Sequence, residues 1–324
     1  MYKYLIIIIV VIVIIILLKY LIGNKKELID NKEIEKEIIK KNMIKKIVKI
    51  TKIFNSNVEY YSRIAHNNFS NIMIYYINCK NCKSRNIQIL KEFNKYKLKN
   101  IKRIDCNHYS TAKLKLSKKL IEYSNNNVKY IFKNYLTITK PSPQIGEISC
   151  LTSHLKAIRE GFKNNLNKVL IVEDDISLIC SPFWKYSLKE IINKVPDDWE
   201  IIKLYCNKCI KHKFKKYFLN SYGTVAYIIN KKGMLKINKY FLNSKLFKIN
   251  MENKINIQAD YFLYTLCKTY VYMPLFITNN LKIDSLIHTE YTIQHYKDAN
   301  RILSKYIKNI KNKKNKKKKN LLIN

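Results

Sequence analysis

The amino-acid sequence predicts an α/β protein with a mainly parallel sheet, preceded by an N-terminal transmembrane helix. Short β-rich runs alternate with segments of helical spacing between about residue 71 and residue 300, which is the pattern of a strand–helix sandwich. A hydrophobic content of 47% with 12% aromatic residues is sufficient to bury a core. Residues 4–18 form an uncharged run that is difficult to place inside a soluble domain.

The N-terminal apolar segment predicts an uncleaved membrane anchor over residues 1–23. Residues 4–22 would form about 28 Å of helix, close to the thickness of a bilayer core. Their one charge, Lys19, lies near the end, where a long side chain reaches the interface. A signal-peptide cleavage site needs small residues near the end of the segment, where only Gly23 is found. A basic flank follows it and favours a cytoplasmic domain, but lysine is abundant throughout, so the side of the membrane stays open.

The rest of the chain divides into three parts. Residues 24–70 lack proline and mix Glu with Lys, which predicts a helical stalk or a short coiled coil. Residues 71–300 have the length of one domain. Residues 301–324 form a Lys-rich tail that we expect to be disordered and solvated.

The elements of the domain follow from hydrophobic spacing and strand propensity. The predicted strands are Asn71–Ile77, Ile101–Asp105, Lys168–Val172, Trp199–Tyr205, Thr224–Ile229 and Val271–Phe276. The predicted helices are Ser84–Tyr96, Glu147–Phe162 and Lys231–Phe241.

Charge and glycine content exclude several classes of function. The net charge is +39, yet only five of the 62 basic residues are arginine, the residue that nucleic-acid recognition favours. Lysine, asparagine and isoleucine rise together, which is typical of an AT-rich coding bias, so nucleic-acid binding is disfavoured as the main function. The five glycines lack the spacing of a dinucleotide-binding loop, a Walker A loop or a nucleophile elbow.

Three consecutive acids mark the first candidate site. Glu173, Asp174 and Asp175 follow the apolar run Val169–Val172, and the carboxyl ends of strands are where α/β sheets bind ligands. Adjacent carboxylates repel one another unless a cation or hydrogen bonds offset the charge. The pattern favours Mg²⁺ or Mn²⁺ bridging a diphosphate; the alternative is an acidic turn that caps the next helix.

A second candidate site lies in the segment Gly146–His154. Gly146 permits a tight entry into a helix, and Glu147 suits its first turn. Ser153 and His154 would lie about two turns further, facing the end of the sheet. The alternative for His154 is a buried histidine with a structural role.

Together these segments resemble glycosyltransferase family 25, the group of lipopolysaccharide-biosynthesis and collagen-galactosyltransferase enzymes. The resemblance covers most of residues 72–290 and rests on segments in a fixed order. They are Ile77-Asn78 followed by Arg85, GEISCLTSH (146–154), VLIVEDD (169–175), DWEIIKLY (198–205), GTVAYIINKKG (223–233), Gln258-Ala259-Asp260, and Asp284-Ser285-Leu286-Ile287.

The resemblance implies a GT-A fold and transfer of a sugar with inversion. The implied donor is a nucleotide sugar, of the UDP-galactose or UDP-glucose type, and the implied cofactor is Mn²⁺ or Mg²⁺. The implied acceptor is a glycan, a lipid-linked molecule or a hydroxyl-bearing protein.

The resemblance also implies roles for particular residues. The implied donor-binding residues are Asn78, Arg85, Ser153, His154, Glu173 and Asp174. The implied metal ligands are Glu173, Asp175 and His288. Asp260 is the implied catalytic base, which takes the proton of the acceptor hydroxyl. Structural explanations stay open for three of them: a surface ion pair for Arg85, a surface carboxylate or helix cap for Asp260, and a non-ligand for His288.

The cysteines depart from the family pattern. Cys79 and Cys82 form one C-x-x-C pair and Cys206 and Cys209 another, each after a predicted strand. Free thiols, a disulfide and a zinc site all stay open, although the separation of the pairs is far outside the usual zinc spacing.

Two further functions remain as alternatives to an enzyme. One is a non-catalytic relative that binds glycans or partners. The other is a basic protein that binds membranes or nucleic acid, whose polyanion binding would be sensitive to salt and independent of Glu173 and Asp175.

Overall fold

The computed structural model describes residues 31–69, 71–117, 120–125, 127–134, 144–205, 214–217, 223–251, 256–272, 275–278 and 292–321. The predicted anchor, residues 1–23, lies outside these ranges. Among the helices that are described, none combines the length and the apolar character that a membrane crossing requires.

The described chain is an α/β protein, as predicted. Its helices are α1 (31–55), α2 (Val58–Asn68), α3 (Lys83–Lys95), α4 (Ile145–Lys163), α5 (Leu188–Ile192), α6 (Lys231–Asn238), α7 (Ala259–Leu266) and α8 (Thr292–Leu321). The strands before α5 are β1 (Met73–Asn78), β2 (Ile101–Asp105), β3 (Lys113–Ser117), β4 (Leu120–Asn125), β5 (Val128–Lys133), β6 (Lys168–Glu173) and β7 (Ile176–Ser177). The later strands are β8 (Ile201–Lys203), β9 (Lys215–Lys216), β10 (Ala226–Asn230), β11 (Phe241–Asn243), β12 (Leu246–Asn250), β13 (Thr269–Val271) and β14 (Ile277–Thr278).

The central sheet has seven strands in the order β2-β1-β6-β10-β8-β13-β9. β1 is parallel to β2 and β6, and β13 is parallel to β8, but β10 is antiparallel to both of its neighbours and β9 to β13. The sheet is therefore mixed and not mainly parallel. The described residues between β8 and β10 contain no crossover helix, which a parallel pairing of these two strands would require.

Each central strand sends alternate side chains to opposite faces of the sheet. In β1, Ile74 and Tyr76 join a core shared with α1, α2, α3 and α8, whereas Tyr75 and Ile77 join a core shared with α4, α6 and α7. This period of two buries both faces of the sheet. The strands thus end between two helical layers, and those ends position the candidate site.

A second sheet, with the order β11-β12-β5-β4-β3, was not predicted. It packs on the α7 side through aromatic contacts with Phe262, whose ring centroid lies 6.1 Å from that of Phe132 and 6.5 Å from that of Phe247. The predicted strand Val271–Phe276 was displaced. Val271 ends β13, and Leu275 and Phe276 precede β14.

Helices α1 and α8, which cover the predicted stalk and tail, pack into the domain. Met43 and Phe54 of α1 are buried in the same core as Leu303 and Tyr306 of α8. Lys46 Nζ also donates to Asn300 Oδ1 at 3.0 Å. The tail was expected to be disordered and is helical to Leu321, because apolar side chains at helical spacing bury one face of its first turns.

Candidate active site

The three acids lie where β6 ends. Glu173 is the last residue of β6, and Asp174 and Asp175 form the turn before β7. β1 runs parallel to β6, with Ile77 opposite Glu173, so Asn78 ends β1 at the same edge of the sheet. Parallel neighbours thus bring the two sequence-predicted segments together at their carboxyl ends.

Arg85 binds two of the three acids. It lies in α3, the helix that follows β1, and its Nη2 is 2.9 Å from Asp174 Oδ1 and 3.1 Å from Asp175 Oδ2. Asn78 Nδ2 donates to the second oxygen of Asp174 at 2.7 Å. Both Asp174 oxygens are therefore bound by residues of the β1–α3 segment.

Asp175 retains an oxygen without a donor. Its Oδ1 has no hydrogen-bond partner among the described residues, and the same is true of Asn78 Oδ1. Burial raises the pKa of Asp175 to about 7; Arg85 opposes this shift, and the charges of Glu173 and Asp174 add to it. Two buried oxygens without donors, one of them on the carboxylate with the raised pKa, fit a hard cation such as Mg²⁺ or Mn²⁺.

Glu173 points away from Arg85, towards α4 and β10. Its Oε1 accepts a hydrogen bond from Thr224 Oγ1 at 2.7 Å and lies 3.5 Å from His154 Nε2. The other ring nitrogen of His154 is 3.1 Å from the hydroxyl of Tyr227. Burial alone would raise the pKa of Glu173, but the nearby His154, the hydrogen bond from Thr224 and the positive charge of Arg85 lower it overall. The three acids therefore have different environments.

The helix α4 begins beside this site. Its first turn is capped by Glu147, whose Oε2 accepts from the Gln144 backbone N–H at 2.9 Å. The second oxygen of Glu147 accepts from Gln258 Nε2 at 3.1 Å, which ties α4 to the residue before α7. Ser153 lines the cleft, but its hydroxyl donates to the Ser149 carbonyl and accepts from the Asn107 backbone N–H.

Asp260 lies in the first turn of α7. Its carboxylate accepts from the backbone N–H of Gly223 at 2.8 Å and from that of Tyr261 at 3.0 Å. Gly223 precedes Thr224, so the backbone links Asp260 to the partner of Glu173. Asp260 is not among the described residues that line the cleft. His288 lies outside the described residues.

The cleft itself is bounded by four segments of the chain. They are residues 77–79 with Arg85, residues 106–109, the α4 face that carries Gly146, Ser149, Cys150, Ser153 and His154, and residues 173–175. The fold thus brings seven of the nine sequence-predicted site residues into the cleft. Asp260 lies outside the cleft lining and is bonded to Gly223, the residue before the Glu173 partner Thr224.

A disulfide closes one wall of the cleft, between Cys79 and Cys106. Cys79 does not bond to Cys82 of its own C-x-x-C pair, because Cys82 is a free thiol. Cys206 and Cys209 lie outside the described residues. The register of β1 against β2 explains why Cys79 bonds to Cys106. Asn78 is paired with Asp105 at the ends of β1 and β2, so the next residue of each strand is a cysteine beside the other.

Residues Asn68-Phe69-Ser70 match the sequence of a glycosylation sequon, but Asn68 is not accessible in this fold. Asn68 is buried, and its Nδ2 donates to the backbone carbonyl of Ser181 at 2.7 Å. The folded chain therefore does not present this side chain to a modifying enzyme.

Several residues near the site were not singled out by sequence reasoning. Thr224, Tyr227 and Cys150 were quoted only as parts of longer segments. Lys203 is fully buried, with its Nζ 4.6 Å from the ring centroid of Tyr264. Burial lowers the pKa of Lys203 to about 7, and the charge of Asp260 opposes this shift. The signal was a lysine between the apolar residues Ile202 and Leu204 of the predicted strand Trp199–Tyr205.

Comparison with known proteins agrees with the resemblance read from the motifs. The family model described as glycosyltransferase family 25 (LPS biosynthesis protein) matches residues 71–262, from β1 to α7. No curated protein matches the chain. The matched residues include the segment 146–154, the acids 173–175 and Asp260. Membership implies a sugar donor and an acceptor. The chain belongs to glycosyltransferase family 25 and is a glycosyltransferase of the hexosyltransferase type.

Proposed function

We propose that this glycosyltransferase transfers a galactose- or glucose-type sugar from a UDP-sugar, with inversion, using a GT-A type domain. The acceptor is a hydroxyl of a glycan, a lipid-linked molecule or a protein. One observation carries the proposal: Asn78, Arg85 and the acids 173–175 meet in one cleft at the carboxyl ends of β1 and β6. This is where an α/β sheet binds a nucleotide.

Asp175 and Glu173 would hold the divalent metal, with His288 as a third ligand. Bound there, Mn²⁺ or Mg²⁺ would neutralise charge that develops on the departing diphosphate. The unpartnered Asp175 Oδ1 supports this assignment, because hard oxygen ligands suit both ions. Glu173 would have to share a carboxylate that already accepts from Thr224.

Arg85, Asn78 and Asp174 would organise the donor side of the site. Arg85 and Asn78 contact both Asp174 oxygens, so their first effect is to fix the turn that carries Asp175. We assign Arg85 a positioning role towards the acids in addition to a contact with the donor phosphates. Ser153 and His154 complete the donor-facing wall from α4.

Asp260 is our candidate for the base that takes the acceptor proton. Inversion needs a base on the face of the sugar opposite the diphosphate. The two backbone N–H donors fix the carboxylate against α7 and the segment before β10. A fixed carboxylate loses less freedom when it meets the acceptor hydroxyl.

Donor hydrolysis by the full chain tests the proposal. The full chain is needed because Met43 and Phe54 in α1 and Tyr306 in α8 contribute to the core. A panel of UDP-sugars is incubated with and without Mn²⁺, and the released UDP is measured. We expect metal-dependent hydrolysis of one donor, which Asp175→Ala abolishes and Asp198→Asn, at an exposed carboxylate, leaves unchanged. Donor binding without turnover would favour the non-catalytic alternative. The absence of both donor binding and turnover would refute the proposed enzyme and the non-catalytic binding protein alike.

Membrane attachment remains a prediction from residues 4–22. It is tested by fractionating cells that express the full chain or a chain lacking residues 1–23 and comparing the share in the membrane pellet. The buried position of Asn68 makes its glycosylation unsuitable as a topology reporter; a protease-protection assay on closed vesicles reports the side instead.

A further inference from the structure

Three potential metal ligands of different chemistry meet on the α4 side of the cleft. Cys150 and His154 are one helical turn apart, so both side chains lie on the same face of α4. Glu173 faces them from the end of β6. The Cys150 sulfur, a ring nitrogen of His154 and a carboxylate oxygen of Glu173 all lie within 4.8 Å of one another.

We propose that Cys150, His154 and Glu173 form a binding site for a borderline transition-metal ion of the Zn²⁺ class, next to the proposed Mn²⁺ or Mg²⁺ site at Asp175, with which it shares Glu173. The ligands are the Cys150 Sγ, the His154 Nε2 and a Glu173 carboxylate oxygen. Three protein ligands with a fourth position open to the cleft is a common arrangement for zinc that can exchange ligands. This inference does not rest on the proposed sugar transfer, because metal binding here requires no donor.

The distance between His154 and Glu173 fits a shared ion better than a direct hydrogen bond. Nε2 and Oε1 are 3.5 Å apart, longer than the roughly 2.7–3.2 Å of a good N–H···O bond. Zinc–nitrogen and zinc–oxygen distances near 2.1 Å imply about 3.4 Å between two ligands of a tetrahedron. The Cys150 sulfur would have to approach by up to about 1 Å, which a small rotation of its side chain supplies.

The surrounding hydrogen bonds already orient two of these ligands. The Tyr227 hydroxyl lies 3.1 Å from His154 Nδ1, which leaves Nε2 directed at Glu173. Thr224 Oγ1 donates to Glu173 Oε1 and fixes the carboxylate. Partners of this kind set the orientation of ligating histidines and carboxylates in metal sites.

Ligand chemistry separates this site from the one at Asp175. A cysteine sulfur and an imidazole select zinc-like ions over Mg²⁺ and Mn²⁺, which prefer oxygen alone. Asp175 and Asn78 offer only oxygen, and they lie on the Arg85 side of the acidic turn.

Titration of the full chain with Co²⁺, used as a spectroscopic substitute for zinc, tests the site. We expect one ion per chain with visible bands of a tetrahedral site and a near-ultraviolet thiolate-to-cobalt band, all removed by Zn²⁺. Cys150→Ser should abolish the near-ultraviolet band and weaken Zn²⁺ binding by at least about tenfold. Cys82→Ser, at another partly buried free thiol, and Cys206→Ser should retain the band.

Two further variants make the result independent of any one substitution. His154→Gln should change the visible bands even if Cys150→Ser folds poorly, and Asp175→Asn should leave both bands in place. Absence of a thiolate band in the wild-type chain, or its persistence in a folded Cys150→Ser chain, would overturn the proposal. A band lost in Cys206→Ser and kept in Cys150→Ser would overturn it as well.

Discussion

Arg85 Nη2 lies 3.1 Å from Asp175 Oδ2, and the same nitrogen lies 2.9 Å from Asp174. One guanidinium therefore offsets two adjacent carboxylates, and all three side chains are at most 15% exposed. Ion pairs this buried are costly to break from one side, because the remaining charges lose their partner without gaining water.

Arg85→Gln should unfold more easily than the wild-type chain, by about 3 kcal/mol, because it leaves two buried acids unpaired. Urea denaturation at neutral pH measures the change. Lys102→Gln breaks the exposed pair with Glu160 and should have little effect on stability. Equal stabilities of the Arg85→Gln and wild-type chains would show that the acids are neutralised by something other than Arg85.

The raised pKa of Asp175 should make the free energy of unfolding fall as pH rises, opposite to the effect of a carboxylate whose pKa is lowered by folding. Its folded pKa of about 7 lies above the unfolded value of about 3.9. Between these values the folded chain keeps a proton that the unfolded chain has lost. The contribution of Asp175 to the free energy of unfolding therefore falls as pH rises from about 4 to about 7, and is constant above.

Asp175→Asn removes this titration. We expect the stability of Asp175→Asn relative to wild type to increase between pH 5 and pH 8 in metal-free urea denaturation. Asp198→Asn is the control, because the pKa of Asp198 is shifted in the opposite direction. The hydrogen bond from Tyr270, together with Lys268, lowers the pKa of Asp198. Asp198→Asn therefore loses a stabilisation that is present at neutral pH. Added Mn²⁺ should stabilise the wild-type chain at pH 8 and not Asp175→Asn. A difference between wild type and Asp175→Asn that does not vary with pH would refute the raised pKa.

Gly223 connects the two halves of the candidate site and has a backbone φ of 92°. An added Cβ would lie 2.9 Å from the ring of Tyr205, and L-residues are strained at this φ by about 1–3 kcal/mol. Gly223→Ala should therefore destabilise the chain and weaken the hydrogen bonds to Asp260 and Glu173. Gly161→Ala is the comparison for crowding without backbone strain, because its added Cβ would lie 2.8 Å from the sulfur of the buried Met234 and 3.3 Å from Val169 at an ordinary helical φ. Equal melting temperatures of the Gly223→Ala and wild-type chains would contradict backbone strain at this position.

The disulfide between Cys79 and Cys106 spans 27 residues of sequence. A closed loop of this length restricts the unfolded chain and contributes about 3 kcal/mol of stability. Cys106→Ser should lower the melting temperature, and a reductant should lower that of the wild type to the same value. Cys82→Ser keeps the bond and should still respond to the reductant. A wild-type melting temperature unchanged by full reduction would show that the bond does not contribute.

The site was partly predictable because strand ends carry local signals. Asn78 and the acids 173–175 each follow an apolar run, and parallel pairing brings such ends together whatever the rest of the sheet does. The direction of each side chain was not predictable. Glu173 turns to His154 while its neighbours turn to Arg85, which depends on contacts between segments far apart in sequence.

The second sheet and the helical C-terminal segment were missed for related reasons. β3 reads Lys-Leu-Lys-Leu-Ser and is mostly exposed, so its apolar residues are too few to distinguish a strand from a loop. The basic residues of α8 masked the apolar face formed by Ile302, Leu303, Tyr306 and Ile310. In a chain with 62 basic residues, lysine density carries little information about order. The partner of Cys79 required the register of β1 against β2, which no C-x-x-C spacing encodes.

Asp260→Asn tests whether this carboxylate acts as the base or only holds the backbone. An amide is nearly the same shape and can still accept one N–H, from Gly223 or from Tyr261, but it cannot take a proton. We expect the transfer rate constant kcat to fall by about 10²–10⁴-fold, with KM for the donor little changed. Asp260→Glu keeps a proton acceptor and should retain more activity than Asp260→Asn.

Donor hydrolysis separates the two roles further. A purely structural Asp260 would lose transfer and donor hydrolysis together, with a lower melting temperature and a raised KM. A base for the acceptor would lose transfer while donor binding, measured by calorimetry, is retained. Small exogenous amines or carboxylates should then restore part of the transfer in Asp260→Ala by accepting the proton. Transfer by Asp260→Asn at the wild-type rate would remove Asp260 as the base and direct attention to other carboxylates near the cleft.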